Sequence, residues 1–217
     1  MNTTLIEKID KLYIELISPD IENYDGSQNK AEFYDCIEYI DRRIREIDDK
    51  EIWFLEIGAY KGLWALAFNI LCIKNQKTPK YVTITWISQD PSNQDLLKTK
   101  KYYNDNGHSF ELIDADSTLK KSLQDAVAIK RFYHFVFIDG DHSFSSVIKD
   151  IKNYAPLASD LLIFHDINTK NCGVPKAIKK SGLPLNIKIS YGDIMCIGIQ
   201  NCKKSTNKFQ KKILGVF

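Results

Sequence analysis

Over the first 50 residues, apolar side chains return every three or four positions. Leu5, Ile9, Leu12 and Leu16 form one stripe, widened by Ile6, Tyr13 and Ile17; Phe33, Ile37, Ile40, Ile44 and Ile47 form a second. This period predicts two amphipathic helices, each with one face on a larger core. Thr4 with Glu7 fits a capping box, Ser18-Pro19 a stop, and Asp25-Gly26-Ser27 a loop between the helices. A packing extension and a cover over a binding site suit such a pair equally well.

From residue 51 the period shortens. Apolar, β-rich runs occupy 52–57, 81–88, 110–113, 134–138 and 161–167, separated by helical patterns at 63–74, 94–104, 119–130 and 145–154. This alternation predicts a mostly parallel sheet with helices on both faces. After a short helix at 174–180, runs at 186–190 and 194–200 flank Tyr191-Gly192-Asp193, which reads as a hairpin. The expected architecture is an α/β, Rossmann-like three-layer sandwich: a seven-stranded, mostly parallel sheet with a C-terminal antiparallel hairpin, plus N-terminal helices. The expected organisation is a helical extension at 1–50, the sheet domain at 51–202 and a basic tail at 203–217.

Composition narrows the class. With 44% apolar and 27% charged residues in 217, the chain has the material for an ordinary globular core. The net charge of +2 comes from the tail, where five lysines occur without an acid. Without them 25 bases face 28 acids, so the body carries −3 and nucleic acid is not the expected partner. Five cysteines in no C-x-x-C pair point to reduced thiols and a cytoplasmic location. The start lacks the basic and apolar regions of a signal peptide. The most apolar stretch, 63–73, is far short of the roughly 20 residues that cross a bilayer.

Ligands of open α/β sheets bind beyond the carboxyl ends of the strands, and here those ends are acidic. They read Glu56-Ile57-Gly58 with Gly62, then Gln89-Asp90-Pro91, Asp114-Ala115-Asp116-Ser117, Asp139-Gly140-Asp141-His142 and His165-Asp166-Ile167-Asn168. Gly58 and Gly62 allow a tight turn and close approach of a ligand. A carboxylate at position 56 would repel a pyrophosphate, whereas S-adenosylmethionine carries an ammonium and a sulfonium and no phosphate. Asp90 is placed for ribose hydroxyls, and Asp116 or Ser117 for an adenine edge.

On these residues the segment from about 51 to 200 resembles a class I S-adenosylmethionine-dependent methyltransferase. FLEIGAYKG is similar to the first motif of that family and ISQDP to its second. FVFIDGDHSF followed by LLIFHDI resembles a branch of small-molecule and sugar O-methyltransferases and cephalosporin hydroxylase-like proteins. One departure is Trp64, where many relatives have a small residue. The resemblance implies cofactor contacts from Glu56, Gly58, Ala59 and Gly62, from Asp90, from Asp116 and Ser117, and from Asp139.

The resemblance further implies that Asp139 and Asp166 hold Mg²⁺, a hard ion that prefers oxygen ligands, and that His142 is the general base. A bound cation lowers the pKa of a hydroxyl, and an imidazole takes its proton as the oxygen attacks the methyl group. For the third ligand Asn168 can reach, Asp141 can substitute, or water can fill the position. The alternative for Asp139 is a turn cap that contacts the cofactor. His165, next to Asp166, is expected on the opposite face of its strand, in a supporting or core role. Cys72 and Cys196 read as buried small apolar residues. The expected acceptor is a hydroxyl of a small molecule or glycan, and N-terminal segments of relatives suggest a homodimer. The other readings are a nucleic-acid or protein methyltransferase on the same fold and a non-catalytic module that keeps it. A hydrolase lacks its G-x-S-x-G elbow.

Overall fold

The computed structural model describes residues 3–17, 29–89, 91–170, 172–183 and 188–199. The proposed loop around Asp25, the residue Asp90 and the lysine tail lie outside these. Two helices come first, α1 (Thr3–Leu16) and α2 (Lys30–Glu46). Thr4 is the second residue of α1, not its cap. Asn29 caps α2, its side chain accepting from Ala31 N and Glu32 N.

The alternation then runs β1 (Glu51–Ile57), α3 (Leu63–Lys74), β2 (Thr78–Thr85), α4 (Leu96–Asp105), β3 (Ser109–Asp114), α5 (Lys120–Ile129), β4 (Tyr133–Ile138), α6 (Phe144–Tyr154), β5 (Ala158–Phe164) and α7 (Val174–Ser181). The hairpin β6 (Lys188–Tyr191) and β7 (Ile194–Gly198) closes the chain. One sheet holds all seven strands in the order β3-β2-β1-β4-β5-β7-β6. Strands β1 to β5 pair in parallel, and β7 runs antiparallel between β5 and β6. The expected α/β sandwich with a terminal antiparallel hairpin is the fold observed.

Strand alternation divides the core in two. Phe54, Tyr81, Phe135, Phe137 and Ile163 face the layer of α1 to α4, while Leu55, Val82, Val136, Ile138 and Phe164 face the layer of α5 to α7. On the first face Tyr81 stacks between Phe54 and Phe110, with ring centroids 5.1 and 5.3 Å away. Each such ring, fully buried, contributes roughly 1.5–3 kcal/mol. Helix α3 is apolar all round because it lies in the middle: the sheet is on one side, and α1 and α2 cover the other. Trp64, at its start, fills the junction, packing edge-on against Phe33 of α2 at 5.0 Å and tilted against Phe137 of β4 at 4.6 Å. Arg43 of α2 adds a two-pronged bond to Asp160 of β5, through Nε at 3.2 Å and Nη2 at 2.5 Å. The N-terminal helices therefore share the core of the sheet.

Two strands lie about three residues upstream of their expected places. In β2, Pro79 stands opposite Ile52, so a residue that reads as a strand breaker is part of the ladder. In β5 the ladder stops at Phe164, since Asp166 adopts φ 57° and turns the chain off the sheet. Among the described residues, no helix is long and apolar enough to cross a membrane.

Candidate active site at the carboxyl rim of the sheet

The turn after β1 is cinched onto its neighbours. Gly58 donates to Ile84 O at 2.9 Å, and Asp139 N donates to Ile57 O at 2.9 Å. Gly58 has φ 82°, and a Cβ there would sit 2.2 Å from Asp139 O, so only glycine fits. Gly62, φ 88°, occupies the cap of α3 and faces Thr99 and Leu96 of the neighbouring helix. Tyr60 between them is also at positive φ, 44°.

Two cavities open at this rim. The larger, about 680 Å³, is walled by Gly58, Tyr60, Trp86, Asn93, Asp116, Ser117, Asp139, Asp141, His142, His165 and Asp166, among others. That volume suits a nucleoside-sized ligand. Among the described residues its lining contains four aspartates and two histidines, and neither lysine nor arginine. The smaller, about 40 Å³, is bounded by Tyr13 of α1 and by Glu56, Gly58, Ala59, Lys61, Trp64 and Asp139.

Glu56 belongs to the smaller cavity. It is buried and accepts a 2.6 Å bond from Tyr81 Oη. Burial raises its pKa well above the ordinary carboxyl value, which Tyr81 opposes and Asp139 reinforces. The loop after β3 is held from α6. Ser117 Oγ donates to Asp150 Oδ1 at 2.8 Å, and Tyr154 Oη donates to Ser117 O at 2.6 Å. Asp150 Oδ2 is buried without a partner, and burial pushes this carboxyl up to about 7. Asp116 accepts from Thr118 N at 2.8 Å within the turn.

The D-G-D-H-S run resolves into a cap and a reactive group. Asp141 takes the Ser143 hydroxyl at 2.8 Å, and Ser143 in turn caps α6 through Ser146 N. His142, its side chain half exposed (51%), turns to the two acids at the strand ends: Nε2 lies 3.0 Å from Asp166 Oδ2 and 3.7 Å from Asp139 Oδ1. These carboxylates, Asp139 foremost and then Asp166, hold its pKa above the ordinary value against burial. Among the described residues, Asp139, His142 and Asp166 bring donor atoms within 4.8 Å of one another. Two carboxylates with imidazole beside them are a fitting donor set for a divalent cation.

The face expected for His165 is corrected: the buried ring turns toward the acids and not away from them. Its Nδ1 lies 3.4 Å from Asp139 Oδ1 and 3.3 Å from Asp166 Oδ2, and the residue lines the larger cavity. The strict alternation of a strand does not apply, because β5 has already ended at Phe164. Burial opposes charge on His165, but the two acids outweigh it and raise its pKa to about 10. Asp166 is correspondingly lowered to about 2, chiefly by His165.

Asn168 faces elsewhere. Its Nδ2 donates to Gly192 O at 2.7 Å, and its backbone N donates to Asp193 Oδ1 at 2.5 Å. The structure thus brings Gly58, Asp116, Ser117, Asp139, His142 and Asp166 to the larger cavity, Glu56 and Ala59 to the smaller, and Gly62 and Asn168 to supporting turns. Asp90 is outside the described residues. Sequence reasoning did not single out Trp86, exposed at the cavity wall, or Asp150, which carry no local signal beyond their residue type, and it read Asp193 only as part of a hairpin turn.

A family model described as a methyltransferase domain matches residues 55–167, just over half the chain. No curated protein matches. Among solved structures, CalS11, a TDP-rhamnose 3′-O-methyltransferase of calicheamicin biosynthesis, superposes with a TM-score of 0.56 at 13% identity, covering 86% of this chain and 87% of its own. The Podospora anserina methyltransferase PaMTH1, bound to S-adenosylhomocysteine, gives 0.59 at 14% identity over 90% and 87%. MycE, a mycinamycin-pathway methyltransferase with magnesium and S-adenosylhomocysteine, gives 0.53 at 15% identity over 88% of this chain and 54% of its own. At such identities the likeness shows a shared fold.

Proposed function

The chain belongs to the methyltransferase-domain family, and from that premise we propose that it is an S-adenosylmethionine-dependent O-methyltransferase acting on a hydroxyl of a sugar or another small molecule. The observation that carries this reading is the charge of the larger cavity, whose described lining has four aspartates against two histidines and neither lysine nor arginine. Such a crevice disfavours a phosphorylated coenzyme and favours a cationic one. When bound, S-adenosylmethionine supplies an electrophilic methyl group on a sulfonium. CalS11 is named for methylating a sugar hydroxyl, and PaMTH1 holds S-adenosylhomocysteine; both support the same class here.

Gly58 borders both cavities, and Glu56, Ala59 and Lys61 line the small one suited to the cofactor's amino-acid end. Asp116 and Ser117, anchored from α6, suit the adenine side. Asp90 is the proposed partner of the ribose. His142 takes the proton of the acceptor hydroxyl: it faces the cavity, and two carboxylates stabilise its charged form. Asp139 and Asp166 would hold a divalent cation, magnesium according to the resemblance, which supplies Lewis acidity toward the hydroxyl. The magnesium of MycE supports that reading. Four free cysteines among the described residues fit the reducing conditions of the cytoplasm.

The test is calorimetry with S-adenosylhomocysteine, ADP and NAD as ligands. Binding of the first alone is expected. A crevice that accepts a phosphorylated coenzyme and refuses S-adenosylhomocysteine overturns the proposal.

A further inference from the structure

The two aspartates of the rim leave the third protein ligand open, and the geometry fills that position from an unexpected side. Asn168 has its amide nitrogen on Gly192 O, and Ile167 has no side-chain donor. His165 presents Nδ1 to both acids, at 3.4 Å from Asp139 Oδ1 and 3.3 Å from Asp166 Oδ2. Donor atoms about 2.1 Å from a common ion stand roughly 3.0–3.5 Å apart, so these separations suit one shared ion with little rearrangement. The side chain is only 9% exposed and therefore held in place. His142, by contrast, is half exposed on the cavity side, where a proton acceptor is needed.

We infer that His165, and not Asn168, is the third protein ligand of this site, and that the resulting set of one imidazole and two carboxylates takes a first-row transition ion such as manganese, iron(II) or cobalt in preference to magnesium. This rests on the proposed methyl transfer only for its purpose; the donor set is a property of the rim itself. Magnesium demands near-ideal octahedral oxygen coordination and keeps its waters, whereas an imidazole nitrogen suits the transition ions. The backbone turn at Asp166, φ 57°, is what delivers the histidine and the aspartate to one point. His142 Nε2 also stands beside the site, 3.0 Å from Asp166 Oδ2, but its half-exposed side chain is the one assigned to the acceptor proton.

The experiment loads metal-free full-length protein with Mn²⁺ and records electron spin-echo modulation from ¹⁴N, alongside calorimetry with Mn²⁺ and Mg²⁺. Nitrogen coupling and a Mn²⁺ affinity at least about tenfold above that for Mg²⁺ are expected for the wild type. The chain has four histidines, His108, His134, His142 and His165. Coupling must persist in His142→Ala, a change at an exposed side chain, and vanish in His165→Gln, which keeps a polar group in the buried position. Absence of nitrogen coupling in the wild type, its loss in His142→Ala, or equal affinities for the two ions would overturn the assignment. S-adenosylhomocysteine binding by the metal-free protein is measured in parallel. If it persists while nitrogen coupling is missing, the ligand assignment fails and the proposed function stands; if it is absent, the proposed function fails.

Discussion

Asp193, in the turn of the terminal hairpin, and Asp166, at the rim, share one hydroxyl: Thr169 Oγ1 lies 2.6 Å from Asp193 Oδ2 and 2.7 Å from Asp166 Oδ1. The hairpin residue also accepts Ile167 N at 3.2 Å through its carbonyl and Asn168 N through its carboxylate. Its own N–H donates to Glu32 of α2 at 2.9 Å. A non-glycine residue at φ 57° costs of order 1 kcal/mol, and this network is what holds Asp166 there.

Asp193→Ala is therefore expected to weaken divalent-ion binding by about 10- to 100-fold, the usual effect of removing a group that orients a ligand. S-adenosylhomocysteine affinity should stay unchanged, because Asp193 does not line either cavity. Metal and cofactor titrations of the same sample check the split; a parallel loss of both would mean that Asp193 merely supports the fold.

His142→Ala should lower turnover by about 10²- to 10⁴-fold while sparing the melting temperature and cofactor binding. The side chain is half exposed, so little packing is lost. Single-turnover assays on an identified acceptor decide this, and undiminished transfer would remove His142 from the role of base.

Two glycines at similar φ separate conformational cost from steric cost. Gly107, φ 72°, has nothing within 4 Å of an added Cβ, whereas at Gly58 the added atom would meet Asp139 O at 2.2 Å. Gly107→Ala should cost about 1 kcal/mol, and Gly58→Ala at least about 2 kcal/mol more. Urea denaturation of the pair gives the difference; equal losses would show that the β1–β4 rim is looser than described.

Asp150 keeps its proton up to about pH 7 in the fold, against an ordinary value of 3.8. Between those values the folded chain binds more protons than the unfolded one, so this group makes stability fall as pH rises from about 4 to 7, with no further change above. Asn at this position does not titrate. The melting temperature of Asp150→Asn relative to the wild type should thus improve between pH 4 and pH 8, by the equivalent of up to a few kcal/mol. A gap that does not widen with pH would contradict the buried, unpaired state of Oδ2.

Much of this was legible in the chain. The alternating runs were enough to place the strands and to collect Gly58, Asp116, Asp139 and Asp166 at one rim, because parallel strands joined by helices all end on the same side. Helix α3 was found at its observed bounds. The expected ends of β2 and β5 overshot, since apolar residues such as Ile87 and Ile167 extend the pattern past the point where the ladder stops. The hairpin was visible as Gly192-Asp193, but its service to Asp166 was not.

What the sequence determined by itself is local: periods of 2 and 3.6, and turn signals such as Gly192-Asp193, each decided by neighbours along the chain. The side of the strand from which His165 acts, the diversion of Asn168 to Gly192, and the neutralisation of the acidic rim by two imidazoles are settled only in three dimensions. They depend on where β5 ends and on a hairpin some 25 residues later. Hydrogen-bond and charge energies fall off over a few ångströms of space, and spacing along the chain cannot report such distances.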